Sequence, residues 1–283
     1  MKCSDIHLRD PFVLVENGIF YMYGSRAKDF AIRSGGFDVY TSTDLVNWSD
    51  PIECFDSAKF GLNRAANWAP EVHKYNGKYY MLATFTREND LRATFILRSD
   101  SPLGPFVPHS KGPVTPEAWE CLDGTLYIGQ DQKPYLVFCH EHTQIIDGTI
   151  CYVRLKDDLT GAAGEPCTMF SASSPPWADE FREGVHYVTD GPFLYRTKNH
   201  ALLMIWSTFI KGQYAECLVK FTDGELGMQF CHMPPLIADD GGHGMIFHDG
   251  NKLYLTLHSP NTLGAERPVF MELEDTGDTI LLK

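Results

Sequence analysis

The segment DPFVLVENGIFYMYGSR at residues 10–26 decides the fold, because its pattern returns four more times along the chain. Each copy has an ionisable residue, a short β-prone run, a polar or glycine-containing turn and a second run that ends in small or polar residues. The other copies are EVHKYNGKYYMLATFTR at 71–87, DGTLYIGQDQKPYLVFCHE at 123–141, DGPFLYRTKNHALLMIWSTF at 190–209 and HGMIFHDGNKLYLTLHSP at 243–260. Apolar runs separated by such turns predict five β-hairpins.

A third β-prone run follows each hairpin; these runs are FDVYTS, ATFILRS, ICYVRLK, AECLVKF and PVFMELE. Helical periodicity is nearly absent from the chain. The hairpins recur roughly every 50 to 70 residues, and a unit of about 40 to 60 residues with four antiparallel strands has the size of a propeller blade. We therefore predict an all-β fold, a five-bladed β-propeller with about four antiparallel strands per blade, as a single domain over residues 1–283.

Composition suits this fold and narrows the partners. Hydrophobic residues make up 43% of the 283 residues, which is enough for a large core. The net charge of −13 argues against nucleic acid or an anionic membrane as a partner. The opening MKCSDIHLRD has no apolar stretch after Lys2, which predicts a cytoplasmic location. The eight cysteines contain no C-x-x-C pair, which predicts reduced thiols, and the sequence leaves the oligomeric state open.

Propeller geometry turns the repeat into a functional prediction. The innermost strand of each blade lines the central channel, so the first residues of the five hairpins should form a ring at one end of it. That ring would be Asp10, Glu71, Asp123, Asp190 and His243. Buried acids need partners, and a purely structural channel would more readily be lined with small or apolar residues. The alternative is that single members cap their strands by binding backbone amides.

Because the hairpins are antiparallel, the end of each second strand returns to the same face. The residues at these ends are Arg26, Arg87, His140, Glu141, Ser207 and His258. Each is also compatible with a solvated rim position.

Five motifs, taken in order, resemble those of glycoside hydrolase family 43. They are RDPFVL (9–14), YTSTDLVNW (40–48), NWAPEVHKYNGKYYM (67–81), DGPFLY (190–195) and GGHGMIF (241–247). The resemblance spans nearly the whole chain. It implies inverting hydrolysis of a glycosidic bond by one acid, one base and a third carboxylate that tunes the acid.

Residue by residue, the resemblance makes Asp10 the catalytic base and Asp123 the tuning carboxylate. The proton donor of the family is a glutamate in an E-G-P motif, and this chain carries Asp190 in T-D-G-P-F. We take Asp190 as the acid, with Glu141 as its rival and Glu183 as a weaker one. Inversion requires the acid and the base to be about 6.5 to 9.5 Å apart, which suits residues on different blades.

The remaining site candidates are assigned to substrate or metal. Trp68 and Phe12 are candidates for stacking on a sugar, although both also fit a core position. Glu71, Arg87 and His258 are candidates for binding substrate hydroxyl groups. The resemblance makes His243 a histidine that helps to hold a metal ion, often calcium, through water. No cofactor is required, and calcium near His243 is the candidate metal.

The leading hypothesis is thus a hydrolase of plant-type pentose-containing oligosaccharides, an α-L-arabinofuranosidase or β-xylosidase. A glycoside phosphorylase of similar architecture is the first alternative; it needs basic residues near the acid, for which Arg26 and Arg87 are available. A sugar-binding propeller without catalytic activity is the second.

Overall fold

The computed structural model describes residues 1–27, 35–65, 67–181 and 186–283, and within these ranges the chain is almost entirely β-structure. Blade 1 contains β1 (Leu8–Glu16), β2 (Ile19–Arg26), β3 (Gly36–Ser42) and β4 (Ile52–Asp56); blade 2 contains β5 (Asn67–Tyr75), β6 (Lys78–Thr86), β7 (Arg92–Ser99) and β8 (Val107–Pro108). Blade 3 contains β9 (Cys121–Ile128), β10 (Pro134–His140), β11 (Thr149–Arg154) and β12 (Cys167–Ser171). Blade 4 contains β13 (Asp190–Arg196), β14 (Leu202–Ile210), β15 (Gln213–Phe221) and β16 (Phe230–Ile237). Blade 5 contains β17 (Gly242–Asp249), β18 (Lys252–Ser259), β19 (Arg267–Asp275) and β20 (Ile280–Leu282).

Each blade is a four-stranded antiparallel sheet built from strands that follow one another in the chain. The first strands of neighbouring blades pack together, β1 against β5 and β17, and β9 against β5 and β13, while β13 also packs against β17. This ring of inner strands confirms the predicted five-bladed propeller. In the part of the chain that the structure describes, the short helical elements include the 3-10 helices Cys3–Asp5 and Ser57–Phe60 and the helix α1 (His142–Ile145).

Tight turns make the hairpins. In blade 1, Glu16 pairs with Ile19 across a two-residue loop in which Asn17 and Gly18 have φ of 52° and 74°. Two successive left-handed residues make a type I′ turn, whose twist matches that of the flanking strands. Asparagine and glycine adopt this conformation at little cost, so the Asn-Gly pair sets the register of the blade.

The ring closes where blade 5 meets blade 1, through side chains. The Arg9 guanidinium lies 2.7 Å from Oε1 of Glu266, which is fully buried. The Trp48 and Phe270 rings stack with their centroids 5.8 Å apart. Because Arg9 precedes Asp10 in β1, this closure also positions the predicted catalytic base.

The blades pack through apolar clusters that include most of the cysteines. Cys54, Cys121, Cys139, Cys151 and Cys217 are buried, and all eight cysteines are unpaired in the structure. Within the described ranges, no helix has the length and apolar character needed to cross a membrane.

Candidate active site

Every inner strand carries the same irregularity near its start. The pairing of β1 shifts register between Arg9 and Phe12, and the other four inner strands shift at the matching place. One residue in each shift has a left-handed backbone: Asp10 (φ 52°), Ala69 (45°), Asp123 (55°), Gly191 (48°) and His243 (55°). A bulge re-aims side chains, and backbone strain of this kind is concentrated at functional sites. These five residues are the equivalent positions around the axis.

The prediction that all five ring residues occupy equivalent positions is wrong for two of them. Glu71 lies two residues beyond the left-handed Ala69, and Asp190 lies one residue before the left-handed Gly191. When the five hairpins are aligned on their ionisable side chains, blades 2 and 4 are therefore out of register with the others. A better sequence marker of the bulge is the residue that follows the left-handed one. That residue is proline or glycine in every blade: Pro11, Pro70, Gly124, Pro192 and Gly244.

The bulges bring most of the predicted site together around a cavity of about 450 Å³. Its walls include three of the left-handed residues, Asp10, Asp123 and His243. In the other two blades the wall residue is the one before the left-handed position, Trp68 in blade 2 and Asp190 in blade 4. Six predicted site residues meet here: Asp10, Trp68, Asp123, Glu141, Asp190 and His243. The cavity is therefore the candidate active site.

Two predicted substrate-binding residues lie deeper than the cavity wall. Phe12 and Glu71 both come two residues after the left-handed residue of their strand. The buried Phe12 ring is 5.0 Å from the His73 ring, and the Glu71 carboxylate is 2.9 Å from Nε2 of the same histidine. Phe12 is therefore a core aromatic, and the contact of Glu71 is with the protein.

Arg87 and His258 also lie outside the described cavity wall. The Arg87 guanidinium donates to the carbonyl oxygens of Glu117 and Trp119 at 2.7 and 3.0 Å, so its role is to hold that loop. His258 is fully buried, and its Nδ1 accepts a hydrogen bond from the backbone N–H of Asp10 at 3.2 Å. His258 therefore contacts the predicted base from outside the cavity, whereas the contacts of Arg87 are with the 117–119 loop.

Asp10 is held as an anion. Its Oδ2 accepts a hydrogen bond from Ser25 Oγ at 2.5 Å, and its Oδ1 lies 3.2 Å from Nδ1 of His243. Burial raises the pKa of Asp10, but His243, Arg9, His258 and the Ser25 hydroxyl outweigh burial and leave the pKa below its ordinary value. An ionised carboxylate is what a general base requires.

Asp190 is held as an acid. Burial, the charge of Asp123 and the charge of Glu141 raise the pKa of Asp190 to about 7, although a hydrogen bond from the Tyr214 hydroxyl opposes the shift. Burial and the charge of Asp10 raise the pKa of Asp123 well above its ordinary value, although the Gly191 N–H opposes that shift. Asp190 thus keeps a proton over much of the neutral range. The raised pKa of Asp123 favours its own proton as well, and its ionised form acts on Asp190 in the direction that a tuning carboxylate requires.

Glu141, the rival acid, has the opposite electrostatics. It is buried, and its Oε1 lies 2.9 Å from Nε2 of His142. Burial raises the pKa of Glu141, but the His142 hydrogen bond and the Arg92 charge hold it below its ordinary value. An anion at neutral pH accepts hydrogen bonds from sugar hydroxyl groups but has no proton to donate. Glu183, the weaker candidate, lies outside the described residues.

Arg92 and two aromatic residues of the cavity wall were not predicted from the sequence. Arg92 begins β7, its guanidinium lies 5.1 Å from the centroid of the Trp68 ring, and it forms an ion pair of 2.7 Å with Glu120. Phe181 and Phe209 also line the cavity, with ring centroids 4.5 Å apart. The only sequence signal for Arg92 is a charge at the start of an apolar third strand, which is equally typical of a surface residue.

The donor set around His243 is small for calcium. Its Nδ1 lies 3.2 Å from Asp10 and 3.6 Å from Asp123. In the described part of the chain, no group of three or more His, Cys, Asp or Glu side chains is arranged to hold a metal ion. Calcium takes six to eight oxygen ligands, so these residues do not fit a calcium ion held mainly by protein. Calcium near His243 stays a prediction, and the steps proposed below use side chains alone.

Glu216 is a further buried carboxyl group behind the cavity. It is fully buried, and its Oε2 accepts hydrogen bonds from the Gly244 N–H at 2.8 Å and from Ser207 Oγ at 3.2 Å. Burial raises the pKa of Glu216 to about 8, despite those hydrogen bonds. The folded protein therefore holds Glu216 largely as the neutral acid at pH 7.

We expect Glu216→Gln to remove a pH-dependent loss of stability. In the wild type, the folded state keeps this proton up to a pH of about 8, while the unfolded chain releases it near 4.5. Raising the pH through this window stabilises the unfolded state, by on the order of 3 kcal/mol between pH 5 and pH 8. Chemical denaturation at both pH values should show that Glu216→Gln gains stability relative to wild type as pH rises. The surface variant Glu165→Gln is the control, and a gap between Glu216→Gln and wild type that is equal at both pH values would contradict the assignment.

Comparison with known structures agrees with this architecture. The chain is 36% identical to an endo-arabinase from Bacteroides thetaiotaomicron VPI-5482, whose crystal structure matches with a TM-score of 0.87 over 97% of this chain and 96% of that chain. A thermostable family-43 glycoside hydrolase matches with a TM-score of 0.85 at 24% identity, over 98% of this chain and 93% of that chain, and this likeness shows the fold. A xylosidase/arabinosidase from Bacteroides ovatus is 28% identical over 138 residues, which span 43% of this chain and 42% of that protein.

Fold and site together define a five-bladed propeller with a carboxylate centre at one end of its axis. The chain belongs to the glycosyl hydrolases family 43, whose sequence profile matches residues 4–226.

Proposed function

We propose that this protein hydrolyses glycosidic bonds of pentose-containing oligosaccharides with inversion of configuration. The observation that carries the proposal is a pair of carboxyl groups in one cavity with opposite protonation: the pKa of Asp10 is lowered, and that of Asp190 is raised to about 7. Two titratable groups whose surroundings push their pKa values apart are the signature of a base and an acid.

In this mechanism the Asp10 carboxylate takes a proton from a water molecule, and the water oxygen attacks the anomeric carbon. On the other side of the sugar, Asp190 gives its proton to the glycosidic oxygen as that bond breaks. Ionised Asp123 raises the pKa of Asp190 and so favours the protonated acid before the reaction. The Glu141 carboxylate binds substrate hydroxyl groups.

Two observations support a pentose-containing substrate. The relatives named endo-arabinase and xylosidase/arabinosidase point to arabinose and xylose units. The cavity combines Trp68 and Phe209 with its carboxylates, and aromatic faces next to polar groups suit a sugar ring.

The alternatives find less support in the charges of the cavity. A phosphorylase needs cations to hold phosphate. Among the described residues, two arginines lie in the wall, and each forms an ion pair of 2.7 Å, Arg9 with Glu266 and Arg92 with Glu120. Arg26, proposed for that role from sequence, is bound to Asp38 at 2.6 Å. A sugar-binding propeller without catalytic activity does not require an ionised base facing a protonated acid.

The test is product release from nitrophenyl α-L-arabinofuranoside, β-D-xyloside and galactosides and from linear arabino-oligosaccharides, each with and without phosphate. We expect hydrolysis of at least one pentoside at a rate that does not depend on phosphate. A sugar phosphate as product would instead establish the phosphorylase, and binding of oligosaccharides without cleavage would establish the non-catalytic protein. The size of the oligosaccharide products separates exo from endo action.

A further inference from the structure

We propose that Tyr214 and His258 form a buried pair that fixes the separation of Asp10 and Asp190, and that the Tyr214 hydroxyl group tunes Asp190 as an acid. Neither residue touches the reacting atoms, so both are positioning residues. The inference rests on the roles of Asp10 and Asp190 proposed above.

Tyr214 reaches the centre of the propeller from the third strand of blade 4. It lies in β15, is 1% exposed, and its hydroxyl group donates to Oδ2 of Asp190 at 3.0 Å. The ring needs the glycine at position 242, because a Cβ atom there would lie 2.6 Å from its Cε1. The position of the hydroxyl group is thus set by the packing of blade 4 on blade 5.

His258 continues the connection to the base. Its ring stacks on the Tyr214 ring with centroids 5.5 Å apart and planes 22° apart. Its Nδ1 accepts the Asp10 N–H, so the proton of the neutral ring is on Nε2, which lies 3.3 Å from Oδ1 of Asn261. Burial, followed by the charge of Arg9, lowers the pKa of His258 to about 3, so the ring stays neutral and Nδ1 remains an acceptor at the pH of catalysis.

The series of contacts from Asp190 through Tyr214 and His258 to Asp10 involves three blades. Asp10 belongs to blade 1 and Asp190 to blade 4, and blade 5 lies between them in the ring. Their separation therefore depends on how blade 5 packs against both neighbours. Tyr214 and His258 link them by one hydrogen bond, one ring stack and a second hydrogen bond, all in the buried interior. An inverting reaction depends on this separation, because a water molecule must fit beside the sugar.

The Tyr214 hydroxyl group also acts on the proton of Asp190. A hydrogen bond donated to a carboxylate favours the charged form and lowers the pKa. Among the described residues, the charged and titratable groups around Asp190 are Asp123 from β9, Cys139 from β10, Glu141 and His142 from the segment after β10, Tyr214 from β15 and His243 from β17. Of these, Asp123 and Glu141 raise the pKa of Asp190, while His243 and Tyr214 lower it. Loss of the hydroxyl group should therefore raise it.

The first test is Tyr214→Phe, which keeps the stacked ring and removes the donor. We expect the alkaline limb of kcat/KM on oligosaccharides to move up by about one pH unit. Carbon-13 NMR of side-chain-labelled aspartate, with Asp190→Asn to assign the resonance, should show the same shift in the Asp190 titration. Tyr195→Phe is the matched control, because it removes a hydroxyl-to-carboxylate bond of 2.9 Å to Asp275, outside the cavity wall. It should move neither readout.

An Asp190 titration that does not move in Tyr214→Phe would overturn the tuning role. The NMR readout does not need turnover, so it decides this point even if no glycoside is cleaved. Absence of cleavage in the wild type would count against the proposed function alone.

The second test is His258→Phe, which keeps an aromatic ring and leaves the buried Asp10 N–H without its acceptor. Misplacing the base should lower kcat by about tenfold to a hundredfold on oligosaccharides and on aryl glycosides alike. His258→Gln offers the N–H an acceptor again through its amide oxygen, and we expect it to retain more kcat than His258→Phe. Equal kcat in the two variants, or wild-type kcat in a folded His258→Phe, would overturn the positioning role.

Discussion

Asp10→Asn should reduce hydrolysis by at least about a thousandfold while leaving the propeller folded. The amide has the size of the carboxylate and can still accept the hydrogen bond from Ser25, which is 2.5 Å long in the wild type. It cannot take a proton from water, so the attacking nucleophile is not formed. Initial rates on oligosaccharides, together with circular dichroism and the thermal midpoint, measure both parts of the prediction.

The stereochemistry of the first product provides an independent check on the role of Asp10. Proton NMR of the wild-type reaction, recorded before mutarotation, should show inverted anomeric configuration. Retention would require a carboxylate nucleophile at closer spacing and would exclude the single-displacement mechanism. For Asp10→Asn, the matched control is Asp275→Asn, since Asp275 lies in β19 outside the described cavity wall. We expect Asp275→Asn to keep the activity of the wild type.

Asp190→Ala should strongly lower kcat/KM for oligosaccharides but retain much of kcat/KM for an activated aryl glycoside. A poor leaving group needs a proton as it departs, whereas a good one leaves without full protonation. Because the pKa of Asp190 is about 7, the wild-type rate on oligosaccharides should fall as the pH rises through about 7, and Asp190→Ala should lose this alkaline limb. Values of kcat/KM for both substrate types across pH measure the effect.

Glu141→Ala is the matched comparison, because both carboxyl groups line the same cavity. Glu141→Ala should lower kcat/KM to a similar extent on oligosaccharides and on the activated aryl glycoside, as expected for a group that binds sugar hydroxyls. If the two variants exchange these behaviours, Glu141 is the acid and Asp190 a binding residue. If neither variant discriminates between leaving groups, the acid lies elsewhere and the assignment of Asp190 is wrong.

The sequence by itself determined the five-fold repeat of hairpins and the presence of carboxyl groups near the propeller axis. Asn17 and Gly18 favour a tight turn through their own backbone preferences, and alternation of apolar and polar residues marks the strands on either side. These are local properties, so they are readable without any knowledge of the fold. For the same reason, Asp10 and Asp123 could be placed at the cavity from their positions in the repeat, and Glu141 from the return of its hairpin.

Only the tertiary structure showed how the surroundings of Asp190 and Glu141 differ and which neighbours hold each of them. Burial, Asp123 and Glu141 raise the pKa of Asp190, and blade 3 contributes both of these neighbours. The pKa of Glu141 is lowered despite burial, by His142 and Arg92, and this contrast supports Asp190 as the proposed acid. Tyr214 approaches from the third strand of its blade, a position that no hairpin pattern assigns to the channel. Desolvation and charge–charge interaction are set by distances between segments far apart in sequence, so they follow from the packing of the blades on one another.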